Sequence, residues 1–193
     1  MKNNRKVLYG LVALALLLSV VGISIGFAAM SQELDINGVA EVAPATWKIK
    51  FKDLSAPTIT GDAVVTTAPT ITSDTHIGNY DIKLTKPGDS VVYTFKVANE
   101  GTIDAELGTY TKAAPTFTGT GATAATDQDI VYNNFIYTLT YADGTAIQTT
   151  DELLKNTEKT LKLTVAYDEN ATTLPTNPVE ITGMDVTFIY EQK

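Results

Sequence analysis

Apolar and polar residues alternate along most of the chain that follows residue 45. Trp47, Ile49 and Phe51 are each followed by a lysine. Because successive side chains of a strand point to opposite faces, this pattern predicts a strand with one buried face. The same alternation marks six further segments: residues 80–84, 91–97, 103–107, 135–141, 161–167 and 184–190.

One turn sequence stands out between these segments. Lys86-Pro-Gly-Asp89 places proline and glycine at the two central positions of a type II turn. We therefore predict that this turn joins residues 80–84 to residues 91–97 in a hairpin.

Three other segments lack the strand alternation. Residues 53–74 are rich in Thr, Ala, Pro and Gly and predict a loop with short edge strands. Residues 112–129 have a similar composition and predict an exposed excursion. Residues 151–155 form the one helical turn that we predict in the body of the protein.

Alternating strands separated by turn clusters predict an all-β fold. Thr occurs 31 times, and β-branched residues favour strands. We predict an antiparallel β-sandwich of about eight to ten strands over residues 46–193. Jelly-roll-like and immunoglobulin-like topologies both fit this pattern.

The N-terminal segment has a different pattern. A basic start, residues 2–6, precedes residues 7–30, which carry no charge. We predict a signal peptide over residues 1–29, cleaved near Ala28 or Ala29, where small residues cluster. The alternative is a retained helical membrane anchor, because about 20 apolar residues suffice to span a bilayer. Both interpretations place the folded body outside the cytoplasm.

Residues 30–45 join this apolar segment to the predicted sandwich. Cleavage just before them would leave them at a free N-terminus. Alternate residues share one face of an extended strand: Leu34, Ile36, Gly38, Ala40 and Val42. We predict a donor strand and linker, with this face buried in a neighbouring molecule. The alternative is that the strand pairs within its own sandwich.

Composition excludes several classes of function. The formal net charge is -8, and without Lys2, Arg5 and Lys6 of the predicted leader it is -11. Arg5 is the only arginine, so the acidic body is poorly suited to the phosphate contacts of nucleic-acid binding. The chain has no cysteine, which excludes disulfides and thiolate chemistry.

Candidate catalytic residues are few. His76 is the only histidine, and no His-Glu-x-x-His or Gly-x-Ser-x-Gly motif occurs, so neither a zinc hydrolase nor a serine hydrolase is indicated. We predict no catalytic, cofactor-binding or metal-binding residue. A calcium site at Asp168-Glu-Asn170 and an isopeptide bond between Lys48 or Lys50 and Asn37 are weaker alternatives.

Five tyrosines fall within the predicted strands: Tyr93, Tyr137, Tyr141, Tyr167 and Tyr190. An aromatic ligand platform is one interpretation. Their strand faces also carry Phe, Val or Leu, so packing in the core with the hydroxyl at the rim is the simpler prediction.

Four motifs together resemble one protein family: the leader ending Gly26-Phe-Ala-Ala29, the strand over residues 34–42, Trp47-Lys-Ile-Lys-Phe51, and residues 86–101 around the Pro-Gly turn. The sequence resembles the TasA/camelysin-like biofilm fibre proteins and related clostridial donor-strand surface pilins. The resemblance covers the leader and residues 34–107 best. It implies a jelly-roll subunit, trimmed by a dedicated signal peptidase, whose N-terminal strand completes the sheet of the next subunit.

We therefore expect a secreted or cell-surface structural subunit, not an enzyme, of a pilus or biofilm-matrix filament. Its expected partners are further copies of itself, with a minor pilin and a signal peptidase as further candidates. The alternative is a monomeric surface adhesin that contacts a ligand through loops such as residues 112–129. Proteolysis, which is associated with camelysin-like proteins, is not expected because the chain has no metalloprotease motif.

Overall fold

The computed structural model describes Leu11, Leu14, Gly38, Ala40 and residues 41–193. The chain divides into two units, Met1–Ala43 and Pro44–Lys193. In the first unit Leu11 and Leu14 are helical, while the predicted cleavage region at Ala28 and Ala29 lies outside the described residues. No helix in the described part of the chain is long and apolar enough to cross a membrane.

The second unit is built mostly from short antiparallel strands. One helix, α1 (Ala124–Asn134), lies among its described residues. The first seven strands are β1 (Ile49–Lys52), β2 (Thr58–Thr60), β3 (Val64–Thr67), β4 (Ile71–Ser73), β5 (His76–Ile77), β6 (Asp81–Lys83) and β7 (Ser90–Asn99). The last seven are β8 (Ala105–Lys112), β9 (Thr116–Gly119), β10 (Phe135–Tyr141), β11 (Glu152–Leu153), β12 (Thr157–Tyr167), β13 (Val179–Thr182) and β14 (Val186–Gln192).

The largest sheet is organised around β7. Its order is β1-β7-β12-β10, and β2 pairs with the same edge of β7 as β1 does. Between β1 and β2, the Ser55 N–H donates to the Thr94 carbonyl at 2.8 Å, and the Thr94 N–H donates to Ser55 Oγ at 3.0 Å. These bonds continue the pairing along this edge of β7 between the end of β1 and the start of β2.

A second sheet has the order β11-β8-β14, and three two-stranded sheets pair β13 with β9, β3 with β6 and β4 with β5. The main core is shared by the two larger sheets. It is formed by apolar side chains from β7, β8, β10, β11 and β12, together with the loop residue Ile147: Phe95, Val97, Ala105, Leu107, Leu139, Ile147, Leu153 and Leu161. The prediction of an antiparallel, all-β body is therefore confirmed.

The predicted hairpin is wrong, although its turn is correct. The Asp89 N–H donates to the Lys86 carbonyl at 3.1 Å, and Gly88 has a φ of 87°, as a type II turn requires at its third residue. However, β6 pairs with β3, whereas β7 pairs with β1, β2 and β12. The turn thus carries the chain from one sheet to another.

One further prediction is wrong, and another holds in part. The predicted helical turn over residues 151–155 contains β11, whose Leu153 is 1% exposed and pairs with Ala105 of β8. The predicted excursion over residues 112–129 is exposed or half-exposed everywhere except at Asp127, but it contains β9 and the start of α1. Trp47 lies outside β1 and is 46% exposed, so the buried face of this strand begins only at Ile49.

Helix α1 is held by a polar contact with a distant loop. The Asp127 carboxylate is buried and accepts hydrogen bonds from the main-chain N–H groups of Thr176 (2.7 Å) and Asn177 (3.1 Å). The Thr123 hydroxyl also donates to it at 2.7 Å. Val131 is the one apolar side chain of α1 that is buried, so this carboxylate is an important contact between the helix and the rest of the unit.

The Asp89 carboxylate holds the loops around the Pro-Gly turn in a similar way. Its side chain is fully buried and accepts main-chain N–H bonds from Asp62 (2.7 Å), Thr85 (2.7 Å) and Lys86 (3.0 Å). Burial alone would raise the pKa of Asp89, but these three donors outweigh it and hold the pKa below its ordinary value.

We expect Asp89→Ala to lower the free energy of unfolding by about 1–3 kcal/mol, because it leaves buried N–H groups without an acceptor. Since the pKa of Asp89 is lower in the folded than in the unfolded protein, the carboxylate stabilises the fold above its unfolded pKa and less as the pH falls. Urea unfolding at neutral and acidic pH measures both effects. Asp168→Ala, at an exposed turn, is the control, and an equal effect of the two changes would contradict this role for Asp89.

Candidate functional site

One concave feature of the second unit is a cleft of about 420 Å³. Its floor is the inner face of the large sheet. One side is formed by the end of β13 and the start of β14, including Met184 and Val186, and the other by residues 75–81, here called the hairpin wall.

The floor of the cleft crosses the large sheet. Phe51, Phe95, Leu163 and Leu139 line it and come from β1, β7, β12 and β10 in turn. With strands about 4.8 Å apart, these four positions span about 14 Å. A strand that rises about 3.3 Å per residue would cross the floor in about four or five residues.

Strand β14 crosses the large sheet in the same direction as this row of floor residues. Near its start, the Met184 carbonyl accepts a hydrogen bond from the Tyr137 hydroxyl of β10 at 2.7 Å. Four residues later, the ring of Phe188 lies 6.3 Å from the ring of Phe51 in β1. The strand therefore passes from one edge of the floor to the other.

One edge of β14 pairs with β8. No strand within residues 41–193 pairs with its other edge, and Val186 and Phe188 of β14 line the cleft. An edge strand presents a row of N–H and C=O groups that can accept a further strand. The cleft thus combines an apolar floor with an unpaired main chain at one side.

The outer edges of the large sheet are more protected. At β10, the Lys112 ammonium donates to the Tyr137 carbonyl at 2.7 Å and lies 5.0 Å from the centre of the Tyr137 ring. At β1, the Phe51 N–H donates to the Asp74 carbonyl at 2.7 Å. The Lys112 side chain at the β10 edge and the β4–β5 hairpin at the β1 edge limit strand addition there.

Three tyrosines line the cleft. The Tyr137 hydroxyl is bonded to the Met184 carbonyl, as described above, whereas the buried hydroxyl of Tyr93 has no hydrogen-bond partner among the described residues. Burial raises the pKa of Tyr137 to about 12 and also raises the pKa values of Tyr80 and Tyr93. These phenols are therefore neutral across the physiological range.

The predicted donor residues are only partly described. Gly38, Ala40 and Val42 are exposed and lie outside strands. Val42 is 94% exposed, and nothing lies within 4 Å of a Cβ placed on Gly38. Leu34 and Ile36 lie outside the described residues. A burial partner for this face stays a prediction.

The weaker candidate sites have ordinary structural explanations. The Asp168 carboxylate accepts a hydrogen bond from the Asn170 N–H at 2.8 Å within its own turn. Lys48 and Lys50 pair with Glu100 at 3.2 and 2.8 Å on the surface of the sheet, and Asn37 lies outside the described residues. No group of three potential metal ligands occurs in the described part of the chain.

His76 lies in β5, is exposed, and contributes to the hairpin wall. Among the five predicted tyrosines, Tyr93, Tyr137 and Tyr167 are at most 7% exposed, as packing in the core predicts. Sequence reasoning did not find Tyr80 or the open edge of β14. The only sequence signal for that edge was the alternation over residues 184–190, which does not show which strands pair.

The cleft provides packing and main-chain hydrogen bonding: an apolar floor, an open strand edge and neutral phenols. Comparison of the chain with protein-family models, with curated proteins and with solved structures finds no match. The geometry fits an extended peptide better than a small polar substrate, because the open edge offers repeated N–H and C=O groups.

Burial of the cleft tyrosines should delay their ionisation in an alkaline titration. We expect the Tyr137 hydroxyl to stay protonated well above pH 10 in the folded protein, because its pKa is about 12. A raised pKa stabilises the folded state below the unfolded pKa, and that stability is lost as the pH rises through the folded value.

Ultraviolet titration of Tyr137→Phe against the parent measures this effect. The parent is expected to show one more late-ionising tyrosine than the variant. Tyr132→Phe is the control, since the Tyr132 side chain is 66% exposed. Loss of an early-ionising tyrosine in Tyr137→Phe would contradict the burial of this phenol.

Proposed function

We propose that this protein is a structural subunit of an extracellular filament, assembled head-to-tail by strand insertion. The two larger sheets would form a jelly-roll-type sandwich that lacks one strand beside β14. A strand from a neighbouring copy would fill this place and complete the smaller sheet.

The observation that carries this proposal is the open edge of β14 beside a cleft with an apolar floor. An inserted strand would pair with the main chain of β14 and place alternate side chains on the floor, which is how strand addition combines affinity with specificity. The floor of Phe51, Phe95, Leu163 and Leu139 is apolar, so the inserted face must be apolar as well.

The predicted donor strand meets this requirement. Leu34 and Ile36 are the first two residues of its apolar face. A strand of four or five residues crosses the floor, so two or three of its side chains can point inward. Gly38, Ala40 and Val42, which continue the face, are exposed in the single chain. The exposure of these three residues leaves this part of the face available to another copy.

Such contacts are heterologous, because the donor and the acceptor are different surfaces of the same subunit. Heterologous contacts that do not close into a ring produce open filaments. We accordingly propose a secreted or cell-surface homopolymer with no catalytic role. A minor pilin at a filament end and a signal peptidase that frees residue 30 or its neighbours are the further proposed partners.

A monomeric adhesin is the second candidate function. One observation favours it: Tyr132 of α1 is 66% exposed and packs edge-on against Phe117 of β9, with ring centres 5.6 Å apart. Exposed apolar patches mark binding surfaces when they are large and contiguous. This surface includes part of the segment, residues 112–129, for which the sequence suggested ligand contact.

A charge on the apolar face of the donor strand tests the filament proposal. We expect Ile36→Asp to abolish filaments, because a carboxylate without a partner cannot be buried on the apolar floor. Asn37→Asp adds the same charge on the opposite face and is expected to assemble normally. Electron microscopy and sedimentation of the purified chains measure the difference, and filaments formed by Ile36→Asp at the parental level would rule out this donor role.

Disulfide trapping tests the acceptor side. Because the chain has no cysteine, Ile36→Cys combined with Val186→Cys should form covalent ladders between copies under oxidising conditions. Asn37→Cys with Val186→Cys, which points the donor thiol away from the cleft, should cross-link far less. Equal ladders from both pairs would argue against insertion along β14, and a protein that stays monomeric at high concentration would favour the adhesin.

A further inference from the structure

The short segment that leads into β1 is fixed on the body by main-chain hydrogen bonds. The Thr46 N–H donates to Thr102 Oγ1 at 2.9 Å, and the Thr102 N–H donates to the Thr46 carbonyl at 2.9 Å. The Glu100 N–H donates to the Lys48 carbonyl at 2.8 Å. The main chain of Trp47 is therefore held on both sides.

Gly101 allows this segment to lie close to the loop over residues 99–103. A Cβ at Gly101 would lie 2.5 Å from the Thr46 carbonyl oxygen and 2.9 Å from the Lys48 nitrogen, which leaves no room for a side chain there. The Trp47 side chain is nevertheless 46% exposed. A large ring on a fixed main chain loses little freedom when a partner covers it, so Trp47 is suited to binding.

A second exposed apolar side chain adjoins the same loop. The Asn99 side-chain amide donates to the Ile103 carbonyl at 2.8 Å and to the Leu153 carbonyl at 3.0 Å, which joins the chain next to Leu154 to this loop. The Leu154 side chain is 45% exposed. Leu154 and Trp47, which both adjoin the loop, are here called the linker face.

We propose, on the basis of the strand-insertion function, that the linker face packs against the body of the next copy and that Trp47 becomes buried there. The inserted strand by itself joins consecutive bodies through a single connection. A contact at the linker face gives them a second one, so it fixes the orientation of each body relative to its neighbour.

The length of the linker brings the linker face to the junction between copies. Trp47 follows Val42, the last residue of the predicted donor face, by five positions, and five residues span at most about 17 Å. The linker Ala43-Pro-Ala45 contains a proline, which restricts its own backbone and that of the residue before it. Once Val42 lies on the acceptor copy, Trp47 must lie within this distance of that copy.

Charge also favours the acceptor copy as the partner. Lys48 and Lys50 share one carboxylate, that of Glu100, at 3.2 and 2.8 Å, so this group keeps one positive charge. The residues that line the cleft include Asp81 and Asp185 and no lysine or arginine. In a chain with a formal net charge of -8, placing this positive group near the acidic cleft reduces the repulsion between copies.

Truncation of the linker face tests its contribution to assembly. We expect Trp47→Ala to raise the critical concentration for filament formation about five- to thirtyfold, as the loss of a central aromatic side chain does at other interfaces. Leu154→Ala should raise it less, because it removes a smaller side chain. Tyr132→Ala, which removes an aromatic side chain that is 66% exposed, is the control. Equal critical concentrations for Trp47→Ala and Tyr132→Ala would overturn the role of the linker face.

Fluorescence tests the burial in the unmodified protein, because Trp47 is the only tryptophan. On assembly we expect its emission to shift to shorter wavelength and its quenching by acrylamide to decrease. The Ile36→Asp chain at the same concentration should keep the emission and the quenching of an exposed side chain.

The possible outcomes separate this contact from strand insertion. Filaments in which Trp47 is quenched as strongly as in the Ile36→Asp chain would overturn the contact while leaving strand insertion intact. An equal shift in the Ile36→Asp chain would overturn the assignment to the acceptor copy. Normal assembly of Ile36→Asp would remove the basis of both proposals.

Discussion

The main-chain groups at the edge of a sheet need hydrogen-bond partners, and the proposed assembly depends on this one constraint. Strand β14 has β8 on one side and, within the described residues, no strand on the other. The apolar floor below that side, crossed by β14 from Tyr137 to Phe51, makes the same place suitable for side-chain burial. An extended segment of alternating pattern would satisfy both needs at once.

The outer edges of the large sheet differ from the open edge of β14. Lys112 occupies the carbonyl of Tyr137 at the β10 edge, and the hairpin residue Asp74 occupies the N–H of Phe51 at the β1 edge. The proposed strand addition is therefore less hindered at β14 than at these two edges. With β14 as the acceptor and one donor segment per chain, the proposed polymer would be linear and polar. The buried carboxylates of Asp89 and Asp127 keep the surrounding loops in place without adding charge to the cleft.

The sequence predicts individual strands and turns of this protein better than it predicts which strands pair. The alternation of Val91, Tyr93, Phe95 and Val97 identifies β7 because burial of one strand face leaves a local pattern. Which strands pair with β7 is decided by contacts far apart in the chain, so the predicted hairpin is wrong although its turn is correct. Helix α1 was not predicted for a similar reason, since a hydrogen bond that holds it joins Asp127 to Thr176, 49 residues away. The open edge of β14 could not be predicted, because an unpaired edge and a paired one have the same alternation.

The most direct test of strand insertion is an electron cryomicroscopy reconstruction of the assembled protein at a resolution that shows side chains. We predict that residues 34–42 of one copy lie along the open edge of β14 in the next copy, with Leu34 and Ile36 on the floor of the cleft. A filament in which that edge is empty, or is paired with a strand of its own chain, would contradict it.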